Sequence, residues 1–290
     1  MTFDSDQSRM AAPGPQPPLR MPYFDLLLLH LETGKAGQEV IERAFGRHVH
    51  WGYWPDPAAA TNDATDYGKA AERLAAEVIA AGRISDGTTV LDVGCGFGGT
   101  LAILNEQFKN MTLAGINIDQ RQIARARAKV TPRDGNRLSF LAGTAVQLPL
   151  ADASCDTVLA VEAIFHFPDR ARFFREVQRV LKPGGRLAIS DFLPPHGMLP
   201  WLWPKFRSPA YGVCDLRYSL PRYRRLARDA GLRPVVERDI NANTLPTHDF
   251  VKTLYPFVVQ YGWWVRFETR IMGWISRQRL LRYSILAFEK

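Results

Sequence analysis

The sequence predicts an α/β fold: a mostly parallel, seven-stranded sheet with helices on both faces, an N-terminal helical cap and C-terminal lid helices. Three observations carry this. Short apolar runs alternate with helix-period stretches from residue 66 onward, which means strands joined by crossover helices. The first of those runs ends in VLDVGCGFGG, residues 90–99, a glycine-rich strand-to-helix turn. The 290 residues are 46% hydrophobic and 23% charged, enough for one large domain with a full core.

Each element has its own signal. Residues 1–20 hold Pro13, Pro15, Pro17 and Pro18 among small and polar residues and read as a disordered tail. Residues 21–65 form the cap. There FDLLLLHLETGKAGQEVIERAF, from Phe24 to Phe45, gives one or two short helices, and FGRHVHWGYWPDP is a loop dense in His and aromatics. The main domain is residues 66–290. The alanine-rich DYGKAAERLAAEVIAA, Asp66 to Ala81, is a strong helix with Gly82 as its stop. TVLDVG is a buried strand, Gly99 to Phe108 a helix, MTLAGIN a strand and Gln120 to Val130 a helix. LSFLAG and DTVLAVE are strands, Arg170 to Leu181 a helix and Gly185 to Phe192 a strand. The stretch 194–221, around PPHGMLPWLWPKFRSPAYG, reads as an irregular, proline-punctuated insertion. A helix at Arg222 to Ala230 and a strand at Pro234 to Ile240 follow. A second insertion, 242–281, holds helical stretches near His248 to Gln260 and Gly262 to Leu281, and RYSILAFE is the final strand. The helices between the last two strands read as a lid.

Composition narrows the partners. None of the three cysteines, Cys95, Cys155 and Cys214, sits in a metal-ligand spacing, which argues against a zinc site or a disulfide framework and for a reduced, cytoplasmic compartment. No secretory signal is visible, and the apolar runs fall short of the ~20 residues a bilayer span needs. The net charge is +8, and residues 196–290 alone carry 16 Lys and Arg against 7 Asp and Glu. A basic, aromatic region suits nucleic acid, an anionic membrane or an anionic small molecule, or is a solvated surface around buried aromatics.

The glycines Gly94, Gly96 and Gly99 fit G-x-G-x-x-G, the dinucleotide pattern. Glycine lets the backbone approach a ligand closely, and the helix start behind it aims N–H groups at an anion. Asp92 decides between ligands. It lies two residues before the first glycine, where a carboxylate repels a pyrophosphate but welcomes an ammonium or sulfonium. A ligand with an amino-acid tail and a positive centre fits better than a dinucleotide.

Three blocks then carry a resemblance. VLDVGCGFGGT resembles motif I of class I S-adenosylmethionine-dependent methyltransferases, which have a Rossmann-like fold. GTAVQLPLADASCDTVLAVEAIFHFPD resembles the next family block, and VLKPGGRLAISDF the turn and fifth strand, in the same order and spacing. The resemblance covers roughly residues 66–240. It implies S-adenosylmethionine as cofactor and S-adenosylhomocysteine as product; no paired-carboxylate metal site of the kind catechol methylation uses is visible in the sequence, so no metal is expected. It places Gly94, Cys95 and Gly96 against the methionine part, with Asp92 ordering the loop and the amino group. Asn117 stands where the family holds the ribose hydroxyls, often with Asp or Glu; Asp119 and Gln122 share that work, or Asp119 caps the following helix. Thr144 and Ala145 stand where Gly-Asp usually meets the adenine, a departure from the pattern. Glu162 and His166 follow the fourth strand, where open parallel sheets bind ligands, so Glu162 is expected to contact cofactor or substrate.

Methyl transfer from a sulfonium needs proximity and alignment, and a base only if the nucleophile must lose a proton. Glu162 is the first candidate for that role, with His48, His50 and His166 behind it. The loop FGRHVHWGYWPDP resembles the segment before the cofactor domain of tocopherol-type methyltransferases, to which the sterol C-methyltransferases are close relatives. That implies His48, His50 and Tyr53 over the active site; a packed cap is the alternative. The aromatics Trp201, Trp203, Tyr211 and Trp263 suggest a lipophilic acceptor. Arg207, Arg217, Arg222 and Arg224 suggest a phosphate or diphosphate, as in an isoprenoid diphosphate. The first expectation is methylation of a prenylated, isoprenoid or aromatic natural-product intermediate, on carbon before oxygen. An isoprenoid diphosphate C-methyltransferase with Glu162 as base, a nucleic-acid methyltransferase and a non-catalytic cofactor-binding partner subunit are the alternatives. Against the nucleic-acid methyltransferase, EAIF stands where a base-methylation motif would follow the fourth strand, so no nucleic-acid partner is expected. Peripheral membrane contact stays open.

Overall fold

The computed structural model describes residues 22–33, 37–197, 205–208, 212–255 and 262–290. Helices α1 (Pro22–Thr33), α2 (Gln38–Phe45) and α3 (Ala64–Gly82) come first. Then β1 (Thr89–Val93), α4 (Gly99–Gln107), β2 (Thr112–Asn117), α5 (Gln120–Lys129), β3 (Arg137–Ala142), β4 (Cys155–Val161), α6 (Arg170–Val180) and β5 (Leu181–Leu193) succeed one another. The chain continues through β6 (Lys205–Ser208), β7 (Gly212–Asp215), α7 (Leu220–Asp229) and β8 (Arg233–Asp239). It ends with α8 (Asn241–Thr244), α9 (Pro246–Thr253), α10 (Gly262–Arg277) and β9 (Arg282–Glu289).

The seven-stranded sheet has the order β3-β2-β1-β4-β5-β9-β8. The first five strands are parallel, and β9 is antiparallel to both β5 and β8. Side chains alternate across a strand, so neighbouring apolar residues feed opposite cores. Val90, Leu113, Leu159 and Ile285 pack under Leu74 and Val78 of α3 and Leu101 of α4. Their neighbours Leu91, Ala114, Val158 and Leu286 pack against Phe173 and Val177 of α6 and Tyr223 of α7. This is why the strands read as continuous apolar runs. A third cluster joins α1 and α2 to the domain through Phe45, Tyr67, Phe97 and Phe250.

Two local expectations change. Gly82 is the last helical residue of α3, and the left-handed residue that ends the helix is Arg83 (φ 55°). Gly82 is small for packing: a Cβ there would lie 3.1 Å from Thr157 Cγ2. The stretch expected to be irregular contains an antiparallel pair, β6 with β7, registered Lys205 to Asp215 through Ser208 to Gly212. Alternation in this short pair is masked by the surrounding prolines.

A buried ionic cluster ties α6, β5, β7 and α7 together. Arg170 is 1% exposed. It donates to Asp191 Oδ2 at 2.6 Å, bonds Tyr223 Oη and the Asp215 carbonyl, and lies over the Tyr218 ring at 4.2 Å. Tyr223 donates to the same Asp191 oxygen. Removing one partner of a buried pair leaves the other charge without compensation. Arg170→Ala is therefore expected to lower unfolding free energy by about 3–5 kcal/mol in a denaturant titration.

Candidate active site

The turn after β1 is built from glycines in the left-handed region: Gly94 (φ 82°), Gly96 (φ 54°) and Gly98 (φ 82°). Close approach demands the same residue. A Cβ on Gly94 would lie 2.5 Å from Ala163 Cβ, and one on Gly99 would lie 2.5 Å from the Arg47 carbonyl and His48 Cε1. The N-terminal loop thus lies directly on the glycine turn. A cleft opens at the carboxyl ends of the strands, lined by Asp92, the glycine turn, Asn117, Gln122, Thr144, Ala145, Glu162 and His166.

Asp92 is 1% exposed, and neither carboxylate oxygen has a partner among the described residues. Burial alone raises its pKa from 3.8 to about 7. An unpaired carboxyl at the floor of a cleft is costly unless a ligand supplies a donor. The ammonium of S-adenosylmethionine is such a donor. Asn117 Nδ2 donates to Gln122 Oε1 at 2.9 Å, and Gln122 Nε2, also buried in the cleft wall, has no hydrogen-bond partner among the described residues. This pair can offer hydrogen bonds to the ribose hydroxyls. The residues present fit the cofactor.

A second cavity, about 1340 Å³ counting its mouth, meets the cleft at Glu162, His50, Val49 and Tyr23. Its wall is mostly apolar, with Trp51, Phe165, Phe192, Leu254 and Met272, and its polar points include His248 and Thr247. Glu162 sits at the neck between the two spaces. It has φ 48°, rare for a residue with a Cβ. Ser190 Oγ accepts from its backbone N–H at 3.0 Å. Its Oε2 accepts from the Trp51 N–H at 2.9 Å and from the Tyr283 hydroxyl at 2.7 Å. Burial raises the Glu162 pKa from 4.5 to about 8 against those two hydrogen bonds.

The histidines differ in what they leave free. His50 Nδ1 donates to the Trp51 carbonyl at 2.9 Å, since a carbonyl only accepts. Its Nε2 then accepts from His48 Nδ1 at 3.1 Å, and His48 Nε2 stands 3.3 Å from Glu72 Oε1. Burial lowers the His50 pKa to about 3, so the ring is neutral. Both of its nitrogens are used inside the loop, which leaves His50 no lone pair for a substrate. His166 Nδ1 donates to the Val213 carbonyl of β7 at 2.8 Å. Burial lowers its pKa to about 4, and its buried Nε2 has no partner among the described residues. His166 is thus a neutral imidazole with an acceptor free at the cleft.

Of the expected site residues, the structure brings together Asp92, Gly94, Cys95, Gly96, Asn117, Gln122, Thr144, Ala145, Glu162, His48, His50 and His166. It does not bring Asp119 there. That carboxylate caps α5 through the Arg121 N–H at 2.9 Å and pairs with the Arg121 guanidinium. Tyr53 packs on the core outside both cavities, and Trp263 is 61% exposed on α10. Trp201, Trp203 and Tyr211 lie outside the described residues, as does the Arg207 side chain. Arg217 is held by Asp215, and Arg224 by Glu237. Arg217 and Arg222 line a separate surface hollow, and no Arg or Lys lines the apolar chamber among the described residues. Sequence reasoning gave no site role to Trp51, Ser190, Tyr283 or His248; Trp51 and Ser190 lie inside quoted family-like blocks but at positions to which the resemblance assigns nothing.

Fold and site together define a class I S-adenosylmethionine-dependent methyltransferase. A family model described as "Methyltransferase domain" matches residues 91–189. The chain is 35% identical to the 27-O-demethylrifamycin SV methyltransferase of Amycolatopsis mediterranei over 222 residues, 74% of this chain and 79% of that one. It is 37% identical to the 2-methyl-6-phytyl-1,4-hydroquinone methyltransferase of Synechocystis over 156 residues, 53% of this chain and 47% of that one. Geranyl diphosphate C-methyltransferase from Streptomyces coelicolor superposes with a TM-score of 0.70 at 18% identity, over 94% of this chain and 99% of that one, which shows the shared fold. The chain belongs to the small-molecule S-adenosylmethionine-dependent methyltransferases, and S-adenosylmethionine is its cofactor.

A cation beside Asp92 favours its ionised form, so cofactor binding below the raised pKa must first displace a proton. Calorimetry is expected to show affinity rising as pH climbs through about 7 and levelling above it. Asp92→Asn is expected to flatten that dependence and to cost about 1.5–3 kcal/mol of binding at higher pH, roughly tenfold to a hundredfold.

Proposed function

We propose that this enzyme methylates a hydroxyl oxygen on a bulky, predominantly apolar natural-product scaffold. The observation that carries the reading is the apolar chamber joined to the cofactor cleft at Glu162, with His166 Nε2, unpartnered among the described residues, on the cleft side of that neck. The name of the Amycolatopsis relative supports methylation at oxygen, since its acceptor is named as an O-demethyl compound, 27-O-demethylrifamycin SV.

Bound S-adenosylmethionine supplies an activated methyl group on a sulfonium. The chain's own residues do the rest. The chamber takes up the acceptor and excludes water, with His248 Nε2, buried and without a partner among the described residues, as a polar point on its wall. The neck at Glu162 admits one face of the acceptor to the cleft. As the O–C bond forms and the S–C bond to the methyl group breaks, leaving a neutral thioether, the hydroxyl proton would pass to His166 Nε2, with the Val213 carbonyl holding the opposite nitrogen as the donor tautomer. The absence of Arg and Lys from the described chamber lining weighs against a diphosphate acceptor.

A second reading, methylation at carbon, is favoured by one observation. Glu162 Oε1 makes no hydrogen bond to the described residues, which leaves an oxygen at the neck that takes a proton from carbon when the carboxyl is ionised, as pH rises through about 8. Product NMR separates the two after incubation with polyketide aglycones, prenylated phenols and geranyl diphosphate. An O-methyl resonance is expected; a C-methyl product or turnover of the diphosphate alone would overturn the first reading.

His166→Gln is expected to lower kcat by about 10²–10⁴-fold while cofactor affinity changes far less. At saturating cofactor the wild-type kcat is expected to show no acid limb near the ordinary imidazole value of 6.5, because burial has already lowered His166 to about 4. A limb at 6.5 in a pH–rate profile would contradict the assignment.

A further inference from the structure

Helix α10 has two unlike sides. Among the described residues five large apolar side chains are exposed, and four lie on this one helix: Trp263 (61%), Phe267 (47%), Ile271 (39%) and Trp274 (58%). Their spacings of four, four and three residues keep them on one face, an apolar ridge of roughly 16 Å at 1.5 Å rise per residue. Arg266, Arg270 and Arg277 share the exposed side, and no carboxylate is exposed on this helix. Arg277 pairs with Asp249 at 2.9 Å and Arg266 lies over the Tyr255 ring, while Arg270 has no ion pair among the described residues. The opposite side is buried and lines the apolar chamber with Glu268, Thr269 and Met272.

We infer that the exposed face of α10 docks on an anionic lipid surface. Tryptophan and phenylalanine at the level of the headgroups, with arginines beside them, are the chemistry of a helix lying in the membrane interface. Charge selects the occupant. A second copy packed symmetrically on this face would bring one row of arginines toward the other, whereas anionic headgroups neutralise them. Among the described residues no helix is long and apolar enough to cross a membrane, so the contact is peripheral. The same helix walls the acceptor chamber, so docking would hold that chamber beside the phase in which a lipophilic acceptor dissolves. The docking stands independently of which atom is methylated.

Cosedimentation of the full chain tests this, with vesicles of phosphatidylcholine alone and of phosphatidylcholine with phosphatidylglycerol in equal parts. Binding to the anionic vesicles is expected, weakening as salt rises. The combined Trp263→Ser, Phe267→Ser, Trp274→Ser variant is expected to lose at least about tenfold in partition with an unchanged thermal midpoint, because all three positions are exposed. Arg266→Gln and Arg270→Gln are each expected to weaken binding about fivefold on anionic vesicles only. Three results would overturn the inference: no binding to anionic vesicles at low salt, equal partition of the triple serine variant, or a concentration-dependent dimer that the same variant dissolves.

Discussion

The site depends on how one carboxyl is held. Glu162 leaves β4 in a left-handed conformation that costs on the order of 1–3 kcal/mol, and three contacts fix it there. Ser190 takes its N–H, while Trp51 and Tyr283 both donate to its Oε2. Ser190 belongs to β5, Tyr283 to β9 and Trp51 to the N-terminal loop. Four separate parts of the chain therefore meet at one residue. The loop that carries His48 and His50 is clamped onto the glycine turn by the same grip. Its internal chain from Glu72 through His48 to His50 serves rigidity, with both His50 nitrogens already engaged.

The two spaces on either side of Glu162 have opposite electrostatic character. The cleft holds buried polar groups that lack hydrogen-bond partners among the described residues, Asp92, Gln122 Nε2 and His166 Nε2. Such groups are stable when a ligand completes them, so the cleft is matched to a polar, cationic molecule. The chamber is walled by aromatic and aliphatic side chains, and its histidines His50 and His248 are held neutral by burial. The Arg170 cluster links the two through structure. Arg170 holds the Asp215 carbonyl of β7, and two residues earlier in the same strand the Val213 carbonyl sets the His166 tautomer.

Much of the fold was legible because strand alternation and helix capping are local. The run TVLDVG forms β1, Asp92 lies on the cleft floor, and the unusual Asn117 does face the cleft. Asp119 went to the other of its two expected roles because an N-cap needs only the next two residues. What stayed hidden is contact between distant residues. Trp51 and Glu162 are 111 positions apart, and Tyr283 and Glu162 are 121 apart. No motif spacing encodes such meetings. Prolines obscure the β6–β7 pair, and the sequence does not show that Asp215 and Glu237 hold Arg217 and Arg224, two of the C-terminal arginines it offers as anion ligands.

A crystal structure with S-adenosylhomocysteine tests the central claim most directly. The account predicts the amino group within hydrogen-bond distance of Asp92, the ribose beside Asn117 and Gln122, and the sulfur facing the apolar chamber across Glu162. A ligand whose amino group avoids Asp92, or whose sulfur faces away from that chamber, would contradict it.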